Sequence, residues 1–131
     1  MELTFFPISI ISMISILIII ISILIGIYKK LLMTYILIIS NFIVFIFARV
    51  FLDVVLDLGF RPVYLSIQYF PNIYTIITSM FIHFEFLHII GNMFVFFFIG
   101  MAFEHRVGWK KFIIIYLISG ICAALTHSII Y

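Results

Sequence analysis

Four apolar runs, each close to the length needed to cross a bilayer, take up most of this 131-residue chain. They cover residues 3–28, residues 31–52, a stretch that opens between Ile76 and Glu85 and closes at Glu104, and residues 112–131. A ~30 Å hydrocarbon core needs ~20 helical residues at ~1.5 Å each. Apolar side chains make up 67% of the sequence and charged ones only 9%, too little polar surface to coat a water-soluble core. In lipid every backbone group must be bonded internally, which helices achieve. The expected fold class is all-α integral membrane: four transmembrane helices, about 3–28, 31–52, 85–104 and 112–131, with an interfacial loop over 53–76.

The first run lacks the marks of a cleaved signal. It opens Met1-Glu2 rather than with a basic segment, its core is long, and no small-residue cleavage site follows. A retained helix is expected. In the second run Ser40 and Asn41 lie mid-span; Ser40 is expected to bond back to its own helix and Asn41 to reach a neighbour. Arg49 and Asp53, four apart, are expected to pair at the helix end. Between 53 and 76, Asp57, Gly59, Pro62, Pro71 and Asn72 are interleaved with Tyr64, Tyr69, Phe70 and Tyr74. Aromatic rings among turn residues suit a loop lying in the membrane interface. Cys122 is the sole cysteine, so no intrachain disulfide forms, and it reads as a small packing residue.

Basic residues set an expected orientation. Lys29 and Lys30 fall in one short turn, and Arg106, Lys110 and Lys111 in another, with two helices between them. The positive-inside rule puts both turns in the cytoplasm and both termini, with residues 53–76, outside. The expected location is the cell membrane, multi-pass.

The chemistry lies between residues 78 and 108, where His83, Glu85, His88, Asn92, Glu104 and Arg106 interrupt a segment otherwise fit for lipid. Such groups cost several kcal/mol each at membrane depth unless paired. His88 and Asn92 are four apart and share one helix face. An imidazole and an amide placed side by side can stabilise an oxyanion forming on a carbonyl, typically ~3–4 kcal/mol per donor. The same spacing equally serves a plain hydrogen bond to a neighbouring helix. A metal site is not expected: His83 and His88 are five apart, about 140° around a helix, and converge only if the segment before His88 is a loop. No cofactor and no nucleic-acid partner is expected.

The run from Thr78 to Gly120 resembles the rhomboid family of intramembrane serine proteases, whose segment reads Phe-x-His, four residues, His-x-x-x-Asn, then a Gly, a helix-closing Glu, a turn Gly and a Tyr-rich helix with Ser-Gly. Here these are Phe81, His83, His88, Asn92, Gly100, Glu104, Gly108, Tyr116, Ser119 and Gly120. The similarity is strong over 74–127 and weaker over 32–52, leaving residues 3–28 as an extra N-terminal helix before a partial rhomboid-like domain at 31–131. The resemblance implies an oxyanion-hole role for His88 and Asn92, a supporting role for His83, and structural roles for Glu104, Arg106 and Gly108. Gly120, with Ser119, Ala123 and Ala124, also offers a small-residue surface for close helix contact.

Two departures bear on activity. Tyr74 and Thr75 stand where the family usually has Trp-Arg, and the catalytic Gly-x-Ser-Gly and later His of rhomboids do not occur in these 131 residues. His127 and Ser128 are adjacent and point ~100° apart, so they form no dyad. No nucleophile is assigned, and the chain by itself is expected to be inactive. The leading expectation is a truncated or partner-dependent rhomboid protease component, with a polypeptide carrying the missing helices as its partner beside the lipid bilayer. The alternatives are an inactive rhomboid-like protein that binds transmembrane-helix clients, and a small structural subunit of a membrane complex.

Overall fold

The computed structural model describes residues 2–3 and 6–130. Thr4, Phe5 and Tyr131, which fall in the first and fourth predicted runs, lie outside the described residues, as does Met1. Four long helices carry the architecture: α1 (Ile10–Tyr28), α2 (Met33–Val50), α5 (Phe86–Val107) and α6 (Trp109–Ile130). All four are long and apolar enough to cross a membrane, as expected for a multi-pass membrane protein. Between α2 and α5 lie two short helices, α3 (Leu52–Leu58) and α4 (Thr75–Thr78), with 3-10 turns at Pro62–Leu65, Ile67–Asn72 and Ser79–Phe81. The stretch read from sequence as a loop is therefore wound into short helical turns, with Pro62 in the first turn of one 3-10 segment.

Helix boundaries follow local chemistry. α1 starts later than residue 3 because Pro7 precedes an N-cap at Ser9, whose hydroxyl accepts the Ser12 N–H at 3.2 Å. α2 stops at Val50 because Phe51 is extended, with φ −121° and ψ 106°. This break separates Arg49 from Asp53, and the expected pair does not form; Arg49 instead approaches the Phe84 carbonyl at 3.5 Å. Between α5 and α6 the turn is made at one residue, Gly108 (φ 83°), a backbone that other residues resist. The stretch from His105 to Lys111, read as a polar connector, is consequently helical on both sides of that glycine.

α2 is the central post. It packs against α1, α3, α5 and α6, and Met33, Leu37 and Val44 on it are fully buried. In lipid, apolar burial drives helices together only weakly, so close packing and internal hydrogen bonds must hold them. Both are present. Asn41 of α2 interacts with the Tyr116 hydroxyl of α6, whereas the Ser40 hydroxyl and the Asn41 amide also donate back within α2, to the Ile36 and Leu37 carbonyls at 2.8 and 2.7 Å. A Cβ at Gly26 of α1 would meet Ile36 Cγ1 at 2.7 Å, and one at Gly100 of α5 would meet Thr34 Cγ2 at 3.1 Å. These two glycines let α1 and α5 close on α2 from either side.

Polar clamps at the two ends fix the bundle. At one end the buried Glu104 carboxylate accepts the Met33 N–H, the Thr34 N–H and the Thr34 hydroxyl, so α5 caps the first turn of α2. A carboxylate there meets the positive end of the helix dipole as well as its unpaired N–H groups. At the other end Asp57 of α3 accepts the Ser9 N–H at 2.9 Å and the Ser12 hydroxyl at 2.7 Å, doing the same for α1. Burial pushes the Asp57 carboxyl up, but the bonds from the Ser9 backbone and the Ser12 and Ser9 side chains together hold it below its ordinary value. Phe6 N–H also donates to Asn72 Oδ1 at 3.2 Å.

Candidate functional site

The entry into α5 determines where the histidines go. Residues 82–85 are not helical, and α5 begins at Phe86 with Glu85 as an N-cap that makes no side-chain capping bond. His83 therefore sits on an extended lead-in rather than on the helix. The 140° separation expected for a continuous helix does not apply, and the His83 and His88 rings approach to 5.7 Å between centroids. His83 is buried, at 8% exposure, and its Nδ1 finds no hydrogen-bond partner. Burial, then the nearby His88, lower its pKa, with only the Phe81 backbone working the other way. His83 is thus held neutral at pH values where a free histidine would begin to charge.

His88 and Asn92 lie one turn apart on α5, and Asn92 Nδ2 stands 3.0 Å from His88 Nε2. An amide NH2 only donates, so in this orientation Nε2 accepts and the neutral ring carries its proton on Nδ1. One Asn92 N–H is used in this way. The second is open. Both side chains are exposed on the outer face of α5, whereas Ile89 and Met93 on the other face are buried against Phe45 of α2. The pair belongs to a span, yet it points away from the bundle.

The remaining residues singled out by sequence are separated from this pair. Glu104 and Gly108 lie at the far end of α5, with Arg106 exposed beside them. Gly120 on α6 receives the Met80 side chain: a Cβ there would overlap Met80 Cγ, Sδ and Cε. His127 is exposed on the last turns of α6. The Ser128 hydroxyl donates to the Ala124 carbonyl at 2.9 Å, so it is spent on its own helix. Among the described residues no group of three or more His, Cys, Asp and Glu side chains is placed to hold a metal ion.

Sequence reasoning assigned no role to Asp57, which anchors α1. The usable signal was Ser9-x-x-Ser12 ahead of an apolar run, an N-terminal capping pattern in want of an acceptor.

No curated protein and no solved structure matches the chain. A family model does: the Rhomboid domain matches residues 71–131, which take in the lead-in carrying His83, all of described α5 with His88 and Asn92, and α6. Over this stretch the chain is similar to the rhomboid family.

Proposed function

We propose that this protein supplies the oxyanion-binding part of an intramembrane serine protease, with the nucleophilic serine and its histidine base carried by polypeptide outside these 131 residues. The observation that carries the reading is the exposed His88–Asn92 pair on a membrane-spanning helix. Hydrocarbon offers no hydrogen bonds, so a polar pair facing it calls for a polar counterpart. In this reading residues 31–131 form a partial rhomboid-like domain with α1 as an added helix, and the end bearing Lys29, Lys30, Lys110 and Lys111 faces the cytoplasm.

The division of labour follows from the donors. As the serine Oγ bonds to the scissile carbonyl carbon, its proton passes to the base and the carbonyl π electrons move onto oxygen. Asn92 offers that oxyanion its second N–H, while His88 accepts the first and so holds the amide in place. Asn92 is then the catalytic residue and His88 the positioning residue. His83, buried and neutral behind His88, keeps the site free of a competing positive charge. Collapse of the oxyanion expels the amine, which takes the proton from the base, and water later hydrolyses the acyl-serine.

A fluorophosphonate, which labels only activated serines, tests this on assemblies extracted from native membranes. Labelling of a polypeptide that co-purifies with the chain, weakened by Asn92→Ala, is the expected result. A second reading is a non-enzymatic rhomboid-like protein that binds transmembrane helices, with the same exposed His88–Asn92 pair as a polar contact for a client helix. That reading predicts no labelled serine, together with cross-links from position 92 to an intact helix.

A further inference from the structure

The two ends of the bundle differ sharply in charge. Lys29, Lys30, Arg106, Lys110 and Lys111 gather at one end, where the sole carboxylate, Glu104, is spent on the first turn of α2. At the other end Arg49 and Arg61 are set against Asp53, Asp57 and Glu85. Within the basic end, the α1–α2 turn and the α5–α6 turn enclose a cavity of about 430 Å³. Its polar and aromatic lining comes from Lys30, Glu104, His105 and Trp109, and its apolar side from Ile27, Leu31 and Leu32. The Glu104 carboxylate is turned to the Met33 and Thr34 donors, which offset its charge.

The backbone at Lys30 makes this cavity more than a by-product of packing. The Leu31 N–H bonds the Gly26 carbonyl at 2.9 Å and the Lys30 N–H bonds the Ile27 carbonyl at 3.3 Å, so α1 ends in a Schellman motif with Lys30 at its left-handed position. That position has φ 53°, the one positive φ among the described non-glycine residues. Glycine is usual there and asparagine acceptable, whereas other residues are strained by roughly 1–2 kcal/mol. Attraction to the C-terminal dipole of α1 does not account for a lysine, since Lys29 at the C-cap already provides it. A lysine kept at a glycine position and lining a cavity, beside His105 and Trp109, has the composition of an anion site. The apolar wall at the end of the spans suits a ligand with a hydrocarbon tail.

We infer that the cavity between the Lys29–Lys30 turn and Gly108 binds the phosphate headgroup of an anionic membrane lipid, with Lys30 as its principal charge contact. The ligand straddles the membrane surface, its phosphate toward Lys30 and His105 and its chains along the apolar side. This inference is independent of any proteolytic role.

The test uses the full chain in phosphatidylcholine nanodiscs with and without phosphatidylglycerol. It reads the lipid retained on release into native mass spectrometry and the unfolding temperature. The wild-type chain should retain one phosphatidylglycerol and unfold later when that lipid is present. Lys30→Asn removes the charge while suiting the left-handed backbone. It should unfold no earlier than wild type in phosphatidylcholine, yet lose roughly fivefold in phosphatidylglycerol affinity and most of the stabilisation. Lys111→Gln, outside the cavity lining, should change retention little. Equal retention by Lys30→Asn and wild type would overturn the site. So would an equal loss in Lys111→Gln, which marks diffuse surface attraction, or full competition by inorganic phosphate, which marks a soluble ligand.

Discussion

Glu104 and Thr34, 70 residues apart, are joined by two hydrogen bonds of 2.8 Å, one from the Thr34 backbone and one from its hydroxyl to Glu104 Oε2. This contact, with Met33 on the other carboxylate oxygen, ties the rhomboid-matching segment to α2. It is what holds α5, and so His88, at a fixed register against α2.

Replacing Glu104 therefore tests the scaffold separately from the chemistry. Glu104→Gln turns an amide donor toward backbone N–H donors and should cost about 3 kcal/mol. Thr34→Val removes one of the three bonds and should cost about 1–2 kcal/mol. Unfolding in graded denaturing detergent gives both values, and a Glu104→Gln protein as stable as wild type would remove the clamp from the account.

Acidification should weaken the fold in two steps. The folded-state pKa of His83 is depressed below 6.5, so the unfolded chain takes up a proton that the folded chain refuses. Stability is full above that value and falls as pH drops from it toward the folded pKa. The pKa of Asp57 is depressed below 3.8, so its contribution is full above 3.8 and is lost as pH falls through its folded pKa. Unfolding temperature measured against pH should show both declines. His83→Gln should flatten the first, and Asp57→Asn the second.

The Met80–Gly120 contact should behave as a lock between the Ser79–Phe81 turn and α6. Gly120→Val places methyl groups where Met80 lies and should cost about 2 kcal/mol. In a Met80→Ala background the penalty should largely vanish, because the space is then open. Equal penalties in the two backgrounds would mean that the two residues do not couple.

Long apolar runs made the four spans legible, since length and hydropathy act locally. Helix ends were less so. Ser9, Phe51 and Gly108 each decide a boundary, and their effect depends on capping partners or a dihedral angle that composition does not carry. Ser40 bonds back to its own helix as its mid-span position suggested. Asn41, expected to reach a neighbour, does so toward Tyr116 while also donating within α2, because a polar side chain in lipid has few options. The Arg49–Asp53 pair was misread because helical spacing was assumed across a break. Sequence spacing let His83 and His88 converge only if a loop preceded His88, and the extended lead-in before Phe86 brings their rings together. Asp57 anchors α1 through contacts 45 and 48 residues away in sequence, beyond the reach of any local pattern.

The most direct test of the oxyanion role is the kcat and KM for cleavage of a transmembrane peptide by assemblies taken from native membranes. Asn92→Ala should lower kcat by ~10²–10³-fold at unchanged KM and unfolding temperature. His88→Ala should lower it less, and His88→Gln, which keeps an acceptor for the amide, should recover part of that loss. Cleavage at the full wild-type kcat in Asn92→Ala would contradict the role given to this pair.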